Sequence, residues 1–557
     1  MNKTKIILFT ALLTFFSILS FLRANYLYTT ILDDAYIFFR YAENIANGYG
    51  IVWNIGEQPV EGYTSFLYLA ILITAKLLSF DLELFAIIIG IISSALTLYL
   101  TYLIYEKLYA QLLTHTYTNV ITVIILALSP AYAYWASAGM ETALFSMFLM
   151  LTFYFFLKYS NLSREINGSK EIKYSKSYLT GWSILNGILF GFLCMLRFEA
   201  ILFFLAALYY LIKKEKSFIR LSINTNVILF AAGFTIIFGT YFIWRWSYFG
   251  YFFPNTYYAK TGGGLQQLTG GFLYIIKALR LFYGFGWILI IIMIFFLRKN
   301  LSSENSRFLF AIGVISLVTT ILLGGDHFHL GRFILPVLPM LLVFFPPALD
   351  KFLAYKTKSF NLKPTYKVLL LIIIFFIILV IKPVYKEALS GVQNILKGEK
   401  EIIVVYDSSC HEEIIDWQHG WIIIGNKLKQ IADKDDYIAA VPIGAIGYYS
   451  KINVIDMVGL VDPVIAHENF SPDAVRKWTP GHTKGDGKYI LSRKPKYIQL
   501  TDYLTKNPLE KPHERSTQFV SVKEIWESED FHSDYEFYPI EVIDGWYYNL
   551  FKRKNLK

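Results

Sequence analysis

The sequence predicts a polytopic α-helical membrane protein that carries a mixed α/β domain toward its C-terminal end, on the outer side of the membrane. Three observations predict it. Apolar residues fill 55% of the 557 positions and gather into long separate runs, as helices crossing a bilayer require. Lys and Arg give a formal charge of +10 and collect in short segments between those runs, where they read as topology signals rather than as a nucleic-acid footprint. After Val384 the composition becomes an ordinary soluble mixture.

The first run, 6–22, follows Lys3 and Lys5. Arg23, Ala24 and Asn25 make a poor small-residue cleavage site, so the run is read as a retained span and not a secretory signal. Further spans are expected near 84–104, 119–136, 143–158, 181–196, 198–212, 226–246, 285–297, 308–323, 333–349 and 366–383, about eleven crossings in all. The run 65–80 is short and carries Lys76. As a helix lying along the outer interface, it leaves the basic stretches 158–176, 213–220, 298–307 and 351–363 in the cytoplasm, as the positive-inside bias requires. The polar segments then all emerge outside: 23–65, "ASAGMET" at 136–142, "RFEA" at 197–200, 248–264, and "GGDHFHLGR" at 324–332. Ionisable residues at so many helix ends are costly to desolvate and point to a shared outward-facing site.

Two domains follow: residues 1–383 in the membrane, with a first outer loop at 23–83, and residues 384–557 outside. In the outer domain, 402–406, 437–441, 452–460 and 496–500 read as strands and 420–433 as a helix. Cys194 and Cys410 are too few and too scattered for a disulfide framework or a cysteine metal site.

Asp33 and Asp34 open a helix in which Tyr36, Phe39, Arg40 and Glu43 follow at helical spacing. An aspartate there caps free backbone N–H groups or faces a substrate. Adjacent helical side chains point about 100° apart, so one carboxylate is expected to cap while the other faces the site, and the sequence leaves open which. Glu57, Glu61, Gly62 and Tyr63 sit in a glycine-bearing turn back to the membrane, read as a connecting loop with interfacial aromatics or as a wall of the site.

Glu141 aligns an acceptor or caps the next helix. Arg197 pairs with Glu199 or binds an anion. Lys260, His327, His329 and Arg332 add positive capacity on the same side, suited to a lipid-linked phosphate or to headgroups. The aromatics around Asn255 stack on sugar faces or form an interfacial belt. Asp326, His327 and His329 have the residue types of a metal site, but three close ligands without an evident distant partner assign none. A divalent metal is left open and no cofactor is assigned. The segment "PGHTKGDGKY" at 480–489, with His482, Lys484 and Asp486, is a binding loop or a solvated glycine turn.

The blocks "DDAYIFFRYAENIANGYGIVWNIGEQPVEGYTSF", "SAGMET", "RFEA", "PNTYYAK", "GGDHFHLGRFILPVLP" and "YYSKINVIDMVGLVDPVIAH" resemble the GT-C glycosyltransferases. Within that class the wording is similar to the mycobacterial terminal arabinofuranosyltransferase and its bacterial relatives. The resemblance implies transfer of a sugar from a polyprenyl-phosphate donor to a hydroxyl of an envelope glycan or glycolipid, outside the bacterial cytoplasmic membrane. It implies that Asp33 or Asp34 is the catalytic base. Arg40, Arg197, Lys260, His327, His329 and Arg332 are then candidates for the donor phosphate, and Glu61, Tyr63, Glu141, Asn255 and Asp326 for the acceptor or sugar. This chain is rich in Lys, Ile, Asn and Tyr rather than Ala, Gly and Arg, which leaves the sugar open. A transporter or flippase would instead place ionisable residues at mid-membrane or show paired halves. A glycan-binding protein without chemistry would tolerate loss of both aspartates.

Overall fold

The computed structural model describes residues 31–109, 129–168, 176–214, 224–283, 303–344 apart from 329, 404–407, 412–470 and 478–554, with a few isolated positions between. The membrane part contains α1 (Asp33–Ala46), α2 (Phe66–Leu77), α3 (Leu82–Tyr109), α4 (Pro130–Ser137), α5 (Thr142–Gly168), α6 (Lys176–Leu196), α7 (Ile201–Lys214), α8 (Thr225–Phe249), α9 (Asn255–Lys260), α10 (Gly264–Tyr283) and α11 (Glu304–Leu322). Among the described residues, five helices are long and apolar enough to cross a membrane: α3, α5, α6, α8 and α11. The chain is a multi-pass membrane protein.

The expected spans at 6–22, 285–297 and 366–383, and part of 119–136, lie outside the described residues, so the count of eleven is not reached among those described. Within 333–349 the described residues form turns and one five-residue helix, Leu338–Leu342. The region 198–212 becomes a 3-10 turn, Phe198–Ala200, followed by the 14-residue α7. Helix α2 has 12 residues, well short of the roughly 20 that a spanning helix needs.

Close helix packing fixes the membrane part. In α6 the glycine pair Gly187 and Gly191 meets α8, and a Cβ on Gly187 would stand 2.1 Å from the Phe230 carbonyl oxygen; small residues four apart let the two backbones approach. Past that contact α8 widens into a π-turn at Thr235–Gly239 before regaining α geometry, a local change of pitch common near functional sites.

The outer domain holds an antiparallel pair, β1 (Val404–Asp407) and β2 (Glu412–Ile415), then α12 (Trp417–Ile431), β3 (Tyr437–Ala440), α13 (Gly444–Ser450), β4 (Asn453–Asp456), α14 (Pro463–Ala466), α15 (Gly487–Ser492), β5 (Tyr497–Gln499), α16 (Val520–Trp526), β6 (Tyr535–Ile543) and β7 (Trp546–Arg553). Strand order in the main sheet is β4-β3-β5-β7-β6, with β4, β3 and β5 parallel and β7 and β6 antiparallel. The expected strands match β1, β3, β4 and β5 within two residues, except that 457–460 leaves the sheet. There the Asp456 carboxylate accepts from the Val458 and Val461 amides, both at 2.9 Å, and bends the chain toward the membrane part.

Helix α1 is the seat on which this domain docks. Asp33 Oδ2 and Oδ1 accept from the amides of Gly444 (2.9 Å) and Ala445 (2.7 Å), at the start of α13. Two turns along, the Arg40 guanidinium donates to the carbonyls of Gly447 (2.8 Å), Ile452 (2.9 Å) and Trp53 (2.9 Å) and to Asn54 Oδ1 (3.1 Å). A carboxylate at the N-terminus and a cation toward the C-terminus complement the dipole of α13. Position 444 must be glycine, because a Cβ there would meet the Asp33 carbonyl oxygen at 1.9 Å. Beside this clamp, Asn54 covers the free edge of β4, accepting from the Val454 amide (2.9 Å) and donating to its carbonyl (3.0 Å). A side-chain amide thus does the pairing of a missing neighbour strand.

Candidate functional site

Seven segments converge beside α1 on a cavity of about 330 Å³. From α1 come Asp34, Ile37 and Phe38, and from the returning loop Gly62, Tyr63 and Thr64. The turn before α5 gives Met140 and Glu141, and the turn after α6 gives Arg197 and Glu199. Helix α9 gives Thr256 and Lys260, the loop after α11 gives Gly325, Arg332 and Phe333, and the outer domain reaches in with Leu460.

Local bonding explains why these segments meet. The Leu32 amide donates to the Ala138 carbonyl (3.2 Å), and Tyr68 of α2 donates its hydroxyl to the Gly139 carbonyl (2.7 Å), so the 138–141 turn is braced against the start of α1. Helix α9 is held from the outer domain. Asn255 Nδ2 donates to the carbonyls of Gly459 (2.8 Å) and Leu460 (3.0 Å), and Lys484 Nζ donates to those of Tyr258 (2.9 Å) and Ala466 (2.8 Å).

The charges are arranged around Asp34. Arg332 Nη1 lies 3.8 Å from Asp34 Oδ2, and its Nε lies 2.7 Å from Asp326 Oδ2. Arg197 Nε pairs with Glu199 Oε1 at 2.6 Å, and its Nη1 lies 3.8 Å from Glu141 Oε1. Both guanidinium groups face the Phe333 ring, at 4.4 Å for Arg197 and 5.3 Å for Arg332, which holds the two cations apart on one aromatic surface. Lys260 has no ion-pair or hydrogen-bond partner among the described residues. Burial lowers the pKa of its ammonium, with the Asp34 carboxylate opposing that and Arg332 adding to it. Such a cation, held in a cavity without its own counterion, is available to an anionic ligand.

The structure divides the sequence-predicted residues. Asp34, Tyr63, Glu141, Arg197, Lys260 and Arg332 all line the cavity. Asp33 does not: both its oxygens are taken by α13, and burial pushes its carboxyl up to about 7 against the pull of the two amides, with Asp34 adding to the rise. Arg40 is a correction to the phosphate-binding set. Its guanidinium is spent on four protein acceptors and lies off the cavity, and burial lowers its pKa to about 10. Glu61 is a second correction, because it is buried in an ion pair with Arg245, whose Nε lies 3.0 Å from Glu61 Oε2. Asn255 acts one step back, as the anchor of α9. Asp326 and His327 line a neighbouring cavity across the 324–331 loop, and His329 lies outside the described residues.

Nor is the 480–489 segment a solvated turn. Asp486 Oδ1 caps α15 by accepting from the Tyr489 amide (2.9 Å), Lys484 is buried, and the His482 ring packs edge-on to His327 with centroids 4.5 Å apart. Among the described residues no group of three His, Cys, Asp or Glu side chains could hold a metal ion; Arg332 stands between Asp34 and Asp326 instead. Arg245 escaped the sequence reading although its signal was present: an arginine inside the apolar run 226–246 demands an acidic partner.

A family model described as a domain of unknown function (DUF8728) matches residues 395–544. No curated protein is similar to the chain in sequence. Solved structures are similar in fold. The oligosaccharyltransferase of Archaeoglobus fulgidus, tethered to an acceptor peptide, is 12% identical, with a TM-score of 0.53 over 95% of this chain and 72% of that one. The archaeal AglB of the same organism, in complex with an inhibitory peptide and a dolichol-phosphate, is 12% identical, with a TM-score of 0.52 over 89% and 70%. ArnT from Cupriavidus metallidurans bound to undecaprenyl phosphate is 10% identical, with a TM-score of 0.50 over 82% and 86%. The chain therefore has the GT-C fold.

Proposed function

We propose that the protein is a membrane glycosyltransferase that moves a sugar from a polyprenyl-phosphate donor to an acceptor hydroxyl on the outer side of a bacterial cytoplasmic membrane, with inversion at the anomeric carbon. One observation carries the reading: Asp34 shares a cavity at the helix mouths with Lys260, Arg197 and Arg332. The acceptor oxygen attacks the anomeric carbon while Asp34 takes its proton. The bond from that carbon to the phosphate oxygen breaks, and its electron pair leaves with the lipid phosphate. Lys260 and Arg332 are placed to balance the charge that develops there. A single carboxylate base is sufficient for this course, whereas retention needs a second acid as nucleophile; Glu141 and Glu199 are engaged with Arg197.

The phospholipid donor is supported by the undecaprenyl phosphate and dolichol-phosphate in the structures of similar fold, and by a cavity whose cations meet apolar walls at the membrane surface. The outward orientation is supported by the described cations at helix ends away from the cavity, Lys213 and Lys214 at the end of α7 and Arg307 in the first turn of α11, which fit the positive-inside bias. The narrower likeness to terminal arabinofuranosyltransferases makes polyprenyl-phosphoarabinose the first donor to try, with envelope glycans and glycolipids as acceptors.

The test uses the full chain in lipid nanodiscs, supplied with a panel of polyprenyl-phosphate sugars and membrane glycolipid extract. Asp34→Asn is expected to lower turnover about 10²- to 10⁴-fold while undecaprenyl phosphate still binds. Turnover retained in a folded Asp34→Asn protein would sink the assignment.

A further inference from the structure

Arg332 reaches the cavity on the loop that follows α11, and the backbone just before it is strained. Leu330 and Gly331 both have positive φ, 62° and 65°. Gly331 adopts that conformation freely, whereas in Leu330 it crowds the Cβ against the following carbonyl oxygen. Among the described residues three other non-glycine residues are left-handed, Ser79, Lys451 and Lys494, and each stands at the end of a helix, where such a residue is ordinary. Leu330 ends no helix. A residue strained in this way persists only where its surroundings hold it.

The holder is Trp135, wholly buried in α4. Its Nε1 donates to the Leu330 carbonyl at 3.0 Å. Its ring meets the Phe328 ring edge-on, with centroids 6.2 Å apart, and stands 5.9 Å from the Arg332 guanidinium. One side chain thus touches the loop at 328, 330 and 332. The gain from one hydrogen bond and the cost of one left-handed residue are of the same order, so a single N–H is enough to decide the conformation of residue 330.

Arg332 depends on that conformation. Its Nε lies 2.7 Å from Asp326 Oδ2 and its Nη1 3.8 Å from Asp34 Oδ2, and a change of φ at residue 330 swings Gly331 and Arg332 relative to both carboxylates. Helix α4 also runs into the turn that carries Glu141 to the cavity, so the same tryptophan ties two of its walls together. We propose that Trp135 is a positioning residue: its indole N–H locks Leu330 in the left-handed turn and so fixes the Arg332 guanidinium beside Asp34. The effect on transfer rests on the transferase reading above; the lock itself does not.

The test uses the full chain in nanodiscs. One readout is hydrogen exchange across 333–335, whose amides bond to the Tyr274 hydroxyl and the Gly331 carbonyl; the other is undecaprenyl phosphate affinity together with turnover. Trp135→Phe keeps an aromatic ring and removes the donor. It is expected to speed exchange about tenfold and to lower affinity and turnover about three- to tenfold, as the loss of one hydrogen bond implies. Leu330→Gly in the Trp135→Phe background should restore most of affinity and turnover, because glycine takes positive φ freely. Leu330→Ala in the same background keeps the Cβ and should not. With Trp135 intact, Leu330→Val should loosen the loop by itself, since a β-branched residue resists the left-handed region most, and it carries the test if the tryptophan cannot be replaced in a folded chain. Unchanged exchange in a folded Trp135→Phe or Leu330→Val protein, or rescue by alanine as complete as by glycine, overturns the lock. Faster exchange with unaltered affinity and turnover overturns the positioning role. A wild-type chain that binds the lipid but transfers no sugar sinks the transferase reading instead, and exchange and affinity then judge the lock alone.

Discussion

Asp33 and Asp34 are neighbours with separate tasks, since one step along an α-helix turns a side chain by about 100°. Asp33 points at α13 and Asp34 into the cavity. Asp33→Ala leaves the Gly444 and Ala445 amides without their acceptor, at a cost of about 1–3 kcal/mol for each group that stays dry. Thermal unfolding and protease sensitivity of the outer domain should both register that loss, with undecaprenyl phosphate affinity changed far less than by Lys260→Ala. Lys260 itself sets a pH limit. Its lowered pKa means that the ammonium loses its proton at a lower pH than an ordinary lysine does. If the charged form serves turnover, activity should fall on the alkaline side below the usual lysine range of about 10, and Lys260→Arg should move that limb upward in a pH–rate profile. The sequence announced that two adjacent acids would divide their work. It could not say which did what, because the partner of Asp33 stands 411 residues further along the chain.

Among the elements, α8 shows a charge that the apolar pattern conceals. Arg245 is fully buried and pairs with Glu61 from the first outer loop, so the loop is tied to a helix that follows it by 184 residues. Glu61→Gln removes the charge that compensates Arg245 and is expected to cost about 3–5 kcal/mol, read as a lower melting temperature in nanodiscs; an unchanged melting temperature would show the pair to be dispensable. The long apolar helices were legible because their runs are uninterrupted, and α3, α5, α6, α8 and α11 fall where hydropathy placed them. The β6–β7 hairpin was equally legible from alternating residues around Asp544-Gly545, a strong turn signal, yet it was missed. Helix α13, "GAIGYYS", was not legible. Seven residues with two glycines have little helical tendency of their own, and the element forms between Asp33 and Arg40, whose contacts no local pattern reveals.

At the scale of the whole molecule, the outer domain is part of the cavity wall. Leu460 lines it, and Asn255 and Lys484 fix the helix that carries Lys260. Removal of residues 404–557 should therefore weaken binding of undecaprenyl phosphate as well as use of an acceptor, measured by lipid titration against the intact chain; unaltered affinity would show that α9 holds its position unaided. Sequence composition marked where this domain begins to differ from the membrane part, but composition carries no record of which surfaces meet. The α13 clamp also has a consequence in time. Ribosomes extend a chain at about 5–20 residues per second, so the 411 residues between Asp33 and Gly444 take roughly 20–80 s to synthesise. Through that interval α1 waits with its docking face uncovered, and the clamp closes only after residue 444 and the rest of α13 have emerged.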